Sequence, residues 1–75
     1  MHVRFVLQAD VSPGLLPGLL QPFAKRGLVP DSMSSHRMGE VMRVEITLDT
    51  MPEDQTHLVE GNLRQIIGVR DLARL

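Results

Sequence analysis

Cysteine is absent from the 75 residues, and so are tryptophan and tyrosine. The first absence excludes disulfides, thiolate metal sites and cysteine nucleophiles together. Phe5 and Phe23 are the only aromatics, too few for a platform on which bases could stack. Charge of one sign is missing as well: 8 Lys and Arg against 9 Asp and Glu leave a net charge of −1. Without a basic block to neutralise successive phosphates, a nucleic-acid role is not expected. The longest apolar stretch is broken by Pro13, Gly14, Pro17 and Gly18, so nothing is expected to span a membrane. Met1 leads straight into strand-like sequence with no charged n-region, which gives no signal peptide and a cytoplasmic expectation. His2, His36 and His57 are widely spaced, so neither a metal nor another cofactor is expected.

What remains is a chain with room for one domain, residues 1–75, and no second core. A domain this short buries only about 60% of the surface its unfolded chain exposes. Domains of this size often gain the missing stability from disulfides, metals or self-association. With the first two excluded, self-association is left.

Hydrophobic periodicity gives the elements. From His2 to Gln8, Val3, Phe5 and Leu7 fall on one face and Arg4 and Gln8 on the other, a half-buried strand. Ser12 and Pro13 suit the cap and first position of a helix, whose stripe is Leu16, Leu19, Leu20 and Phe23. Lys25-Arg26-Gly27 ends it. Pro22 removes a donor from the helix interior, where a kink is expected. Asp31 to Met38 is polar enough for an edge strand, and Gly39-Glu40 turns it into Val41 to Leu48. In that central strand Met42, Val44, Ile46 and Leu48 face inward. Asp49 to Asp54 opens a second helix, with a capping candidate, an early proline and acids in the first turn. Leu58, Val59, Leu63, Ile66 and Ile67 supply its apolar face, and Gly68 ends it. Val69 to Leu75 is a last short strand with imperfect alternation, so a bulge or side switch is needed to accommodate Leu72.

The order is strand, helix, strand, strand, helix, strand. It predicts an α+β, ferredoxin-like βαββαβ sandwich: a four-stranded antiparallel sheet with both helices on one face.

No chemistry of its own is legible in this chain. Ser12, Ser32, Ser34 and Ser35 have no His and Asp at triad-like placement. A phosphate-binding glycine loop is absent. Met33, His36, Met38 and Met42 hint at a soft-metal cluster, yet Met33 and His36 are an odd number apart and point to opposite faces of a strand. Core methionines and a surface histidine are the favoured reading.

One stretch is more specific. Ser12-Pro13-Gly14-Leu15-Leu16, then Phe23, Lys25-Arg26-Gly27 and Ser32-Met33, resembles the ACT domain. It is most similar to the regulatory (small) subunit of acetohydroxyacid synthase, also called acetolactate synthase, with no gaps between these motifs. The tail Leu63-Arg64-Gln65-Ile66-Ile67-Gly68-Val69 is similar to the same family's close of its second helix.

That resemblance implies a non-catalytic module for sensing an amino-acid effector, paired edge to edge as a homodimer. It also implies a catalytic large subunit of acetolactate synthase as partner. The ligand positions carried over are Asp10, Val11, Ser12, Pro13, Gly14 and Leu15 in one copy, and Val29, Pro30 and Asp31 in the other. Gly14 would let a ligand approach the backbone, and helix N–H groups would receive a carboxylate. Val11 and Val29 stand where valine-regulated small subunits carry Asn. Losing each amide contact would cost about 1–3 kcal/mol of binding. The short, valine-insensitive small subunits lack those amides as well, and this chain resembles them. Two other readings remain: a free-standing amino-acid-binding ACT module acting on another enzyme or transporter, and a ligand-free dimerisation domain.

Overall fold

The computed structural model describes residues 1–75. The chain runs β1 (Val3–Asp10), α1 (Leu15–Ala24), β2 (Ser32–Met38), β3 (Val41–Leu48), α2 (Glu53–Arg64) and β4 (Val69–Arg74). The four strands form one antiparallel sheet in the order β2-β3-β1-β4. This is the expected ferredoxin-like arrangement, with the polar strand at an edge and β3 inside.

The alternation read from the sequence decides which face is covered. Val3, Phe5, Leu7 and Ala9 of β1 are buried, opposite Leu48, Ile46, Val44 and Met42 of β3. The helices cover this face with Leu15, Leu19, Pro22 and Phe23 from α1 and Thr56, Val59 and Leu63 from α2. Phe5 and Phe23 meet edge to face, with centroids 5.9 Å apart.

Several expectations need correction. Ser12 does not cap α1: the cap position is Gly14, and no side chain bonds there. Ser12 instead offers its carbonyl to the Leu15 N–H at 3.2 Å. Pro17 thereby falls in the first turn, where a missing donor costs nothing. Leu20 faces solvent, and its place in the buried stripe is taken by Leu15 and Pro22. In α2 neither Asp49 nor Thr50 caps; Pro52 is the cap residue, and its carbonyl accepts the Thr56 hydroxyl at 3.0 Å. That bond permits Thr56 to be buried. α2 also stops at Arg64, earlier than the Gly68 boundary, which leaves Ile67 exposed beyond the helix and Ile66 only partly packed. Leu58 is exposed too.

Gly27 ends α1 as anticipated. It has φ +69°, and the Leu28 N–H reaches back to the Phe23 carbonyl at 2.9 Å. A Cβ at Gly27 would meet nothing within 4 Å, so strain at positive φ is the whole cost of a side chain there. Gly27→Ala is therefore expected to cost about 1 kcal/mol, read as a fall of about 4–8 °C in the thermal midpoint.

The irregularity in the last strand is a bulge. Gln8 faces Asp71 while Ala9 faces Val69, so Arg70 is the extra residue. It restores Leu72 to the covered face opposite Leu7. No helix is long and apolar enough to cross a membrane.

Candidate functional site

The turn between β1 and α1 is fastened on both sides. The Asp10 N–H donates to the Gly68 carbonyl at 2.9 Å, and the Val11 N–H to the Glu40 carbonyl at 3.0 Å. The Asp10 carboxylate accepts from Arg70 Nε at 2.6 Å. The bulge supplies that arginine, and the contact holds Asp10 toward β4, away from the β2 side. Ser12, Pro13 and Gly14 are exposed at the crest of the turn. The N–H groups of Ser12, Gly14 and Leu16 bond to nothing else in the chain. Leu15 is buried in the core, so only its backbone borders the turn.

Gly14 is informative because the fold does not require it. Its φ of −89° and ψ of 0° suit any residue, and a Cβ there would meet nothing within 4 Å. The bare backbone serves no packing need within the protomer.

The second segment lies elsewhere. Val29 is 83% exposed, Pro30 is half-buried and Asp31 is exposed. The Asp31 N–H donates to the Thr47 carbonyl at 2.8 Å, and its carboxylate accepts the Asp49 N–H at 2.6 Å. Strand register shows how far apart the two segments are. Ser32 pairs with Thr47, which pairs with Arg4; Met38 pairs with Val41, which pairs with Asp10. Six residues of strand, roughly 20 Å, therefore separate them. One small molecule cannot touch both within a protomer.

The two sheet edges differ. β2 pairs with β3 without interruption over all seven residues, has no proline and carries Arg37 as its only residue with a fixed charge. β4 carries the bulge and the charges of Arg70, Asp71 and Arg74. Bulges and charges are what proteins use to keep an edge from pairing. β4 is guarded, and β2 is open.

The remaining expected features are also placed. Met33 and Met42 are partly packed against the core and His36 lies on the uncovered face, as the odd spacing of Met33 and His36 required. Met38, however, is exposed on that same face and is not a core methionine. No three His, Asp or Glu side chains gather as metal ligands.

Compared with known families, residues 1–73 match the model of the ACT-like domain. The chain belongs to the ACT-like domain family. ACT domains are typically regulatory, ligand-binding modules. The crystal structure of the ACT domain from the GTP pyrophosphokinase of Chlorobium tepidum superposes with a TM-score of 0.83 at 12% identity, covering 100% of this chain and 97% of that one. The solution NMR structure of the same domain gives 0.79 at 12% identity, covering 100% and 85%. At that identity the likeness is one of fold. No curated protein matches the sequence.

Sequence reasoning overlooked the role of Arg70. An arginine beside an out-of-phase strand position was the available signal, but its pairing with Asp10 depends on the register shift.

Proposed function

We propose that this ACT-like domain is a regulatory, non-catalytic module that works as a homodimer joined along β2 and receives a small amino-acid effector between the two copies. The observation that carries this reading is the separation of the two ligand segments to opposite ends of one sheet, beside an unguarded edge. A two-fold axis through the middle of β2 would set Ser32 of one copy opposite Met38 of the other. The segment ending at Asp31 in one copy would then reach the end of the joined sheet where the other's Val11–Leu15 turn stands. Free N–H groups and the bare Gly14 backbone suit a carboxylate there. Val11 and Val29 would give the pocket apolar walls, and the exposed Val29 would gain cover.

Calorimetry against the twenty amino acids tests this, with Gly14→Leu as the paired variant. The side chain has open space in the protomer, so the variant should fold. Binding of at least one amino acid to the native chain, at least tenfold weaker in Gly14→Leu, is the expected result. Equal binding by both would remove the turn from the site. Silence across the whole panel, with a concentration-dependent dimer, would favour the ligand-free dimerisation reading instead.

A narrower reading assigns the catalytic partner. The ungapped spacing of Pro13-Gly14, Arg26-Gly27 and Ser32-Met33 favours the large subunit of acetolactate synthase. It rests on those motifs alone. Co-purification with that subunit, and a change in its activity on addition of this chain, would support it; no effect on such an enzyme would leave the free-standing module.

A further inference from the structure

The largest hollow in the molecule lies on the sheet face that the helices leave uncovered, toward the Met38 end of β2. It is a shallow depression of about 370 Å³ whose main lining is Gln8, Ser34, His36, Met38, Arg43 and Glu45. Sheet register orders these side chains into two rows. His36, Arg43 and Gln8 lie side by side across β2, β3 and β1. Ser34 and Glu45 form the next row, continued by Val6 and Ala73. The first row is rich in donors: a guanidinium, an amide, and an imidazole that keeps at least one N–H in either charge state. The second is centred on a carboxylate. Asp71 continues the donor row on β4, but beyond Gln8 and outside the depression.

Among the six, the only side-chain hydrogen bond is the one from Arg43 Nη2 to Glu45 Oε1, long at 3.3 Å. Both partners are partly exposed, at 52% and 32%, so separating them costs little. Their Cα atoms stand two residues apart on one strand, roughly 6.8 Å. That spacing accommodates a ligand that presents a carboxylate to the donor row and an ammonium to Glu45.

We propose that this depression is a binding site for a small zwitterion, one carrying a carboxylate and an ammonium on neighbouring atoms. The carboxylate takes hydrogen bonds from Arg43, with His36 and Gln8 at its sides. The ammonium donates to Glu45, and Met38 at the edge meets whatever apolar group the ligand carries. The site needs no second copy and is distinct from the effector site proposed at the turn.

The test is a titration of the isotope-labelled chain with glycine, followed by amide chemical shifts. Acetate, glycinamide and sodium chloride at matched ionic strength are the controls. Saturable shifts at Gln8, Ser34, His36, Arg43 and Glu45 are expected with glycine. Acetate and glycinamide should bind at least tenfold more weakly, because each lacks one charge. Glu45→Gln should weaken glycine at least tenfold while keeping the dispersed spectrum of the folded chain. Equal response to acetate would reveal an adventitious ion only and overturn the proposal. So would the absence of any saturable shift on this face. Shifts confined to Val11–Leu15 and Val29–Asp31 would overturn it as well, while leaving the effector site at the turn intact.

Discussion

Phe23→Ala is expected to remove most of the cooperative unfolding transition at ambient temperature. Phe23 and Phe5 are both fully buried and form the one aromatic contact in the chain. Truncating a buried phenylalanine costs about 3–5 kcal/mol, the transfer term plus the cavity left behind. Total stability for a domain of this length lies near the low end of about 5–15 kcal/mol. The cavity would open under the middle of the sheet, where Ile46 and Leu7 also pack, so no single loop can collapse to fill it. Urea denaturation followed by far-UV circular dichroism measures the loss. A variant that keeps its transition with a loss below about 1 kcal/mol would show that the two rings do not anchor the core.

Ser35→Pro is expected to separate the proposed dimer while sparing the protomer. Gly39 has φ +63° and Glu40 does not have positive φ, which fits a two-residue turn of type II′. In such a hairpin the closing residues, Met38 and Val41, exchange hydrogen bonds with each other. Alternation then directs the backbone groups of His36, Ser34 and Ser32 toward β3, and those of Arg37, Ser35 and Met33 outward. Proline at Ser35 thus removes a donor that the fold does not use, a placement edge strands tolerate. In the two-fold pair it deletes two hydrogen bonds near the axis, each worth about 1 kcal/mol net. The dissociation constant should rise roughly 30-fold, and further where the two rings collide. Size-exclusion chromatography across a dilution series reads this directly. Unchanged association in a folded variant would move the interface off β2.

The strand order was legible because each strand declares its position through its side chains. Val44, Ile46 and Leu48 alternate without exception and occupy the inside, while Ser32 to His36 offer little to bury and lie at the edge. Arg26-Gly27 marked the end of α1 because positive φ there favours glycine. The bulge was foreshadowed by Leu72, since only an added residue returns it to the covered face.

Other features depended on tertiary context. Leu20, Leu58 and Ile67 are as apolar as their buried neighbours, and helical spacing alone did not show which lay past the edge of the covered face. Ile67 misled further because α2 ends at Arg64, before the glycine taken as its stop. Thr56 reads as a surface residue until the Pro52 carbonyl is found within reach of its hydroxyl. Ser12 is a good cap residue in isolation, but the chain enters α1 two residues later.

The candidate site was legible in its segments rather than in its assembly. Pro13-Gly14 marks the turn, yet only the register shows that Val29 to Asp31 lies at the far end of the sheet. Asp10, read as a possible ligand group, also pairs with Arg70 across the bulge, which the sequence did not show. The donor and acceptor rows on the uncovered face could not be aligned until β1, β2 and β3 were placed side by side.

Sedimentation velocity of the unmodified chain at about 10 µM bears most directly on whether β2 joins two copies. A dimer joined along β2 would sediment as one species of twice the 8.4 kDa chain mass. A compact, fully folded particle of the single-chain mass at that concentration would contradict it.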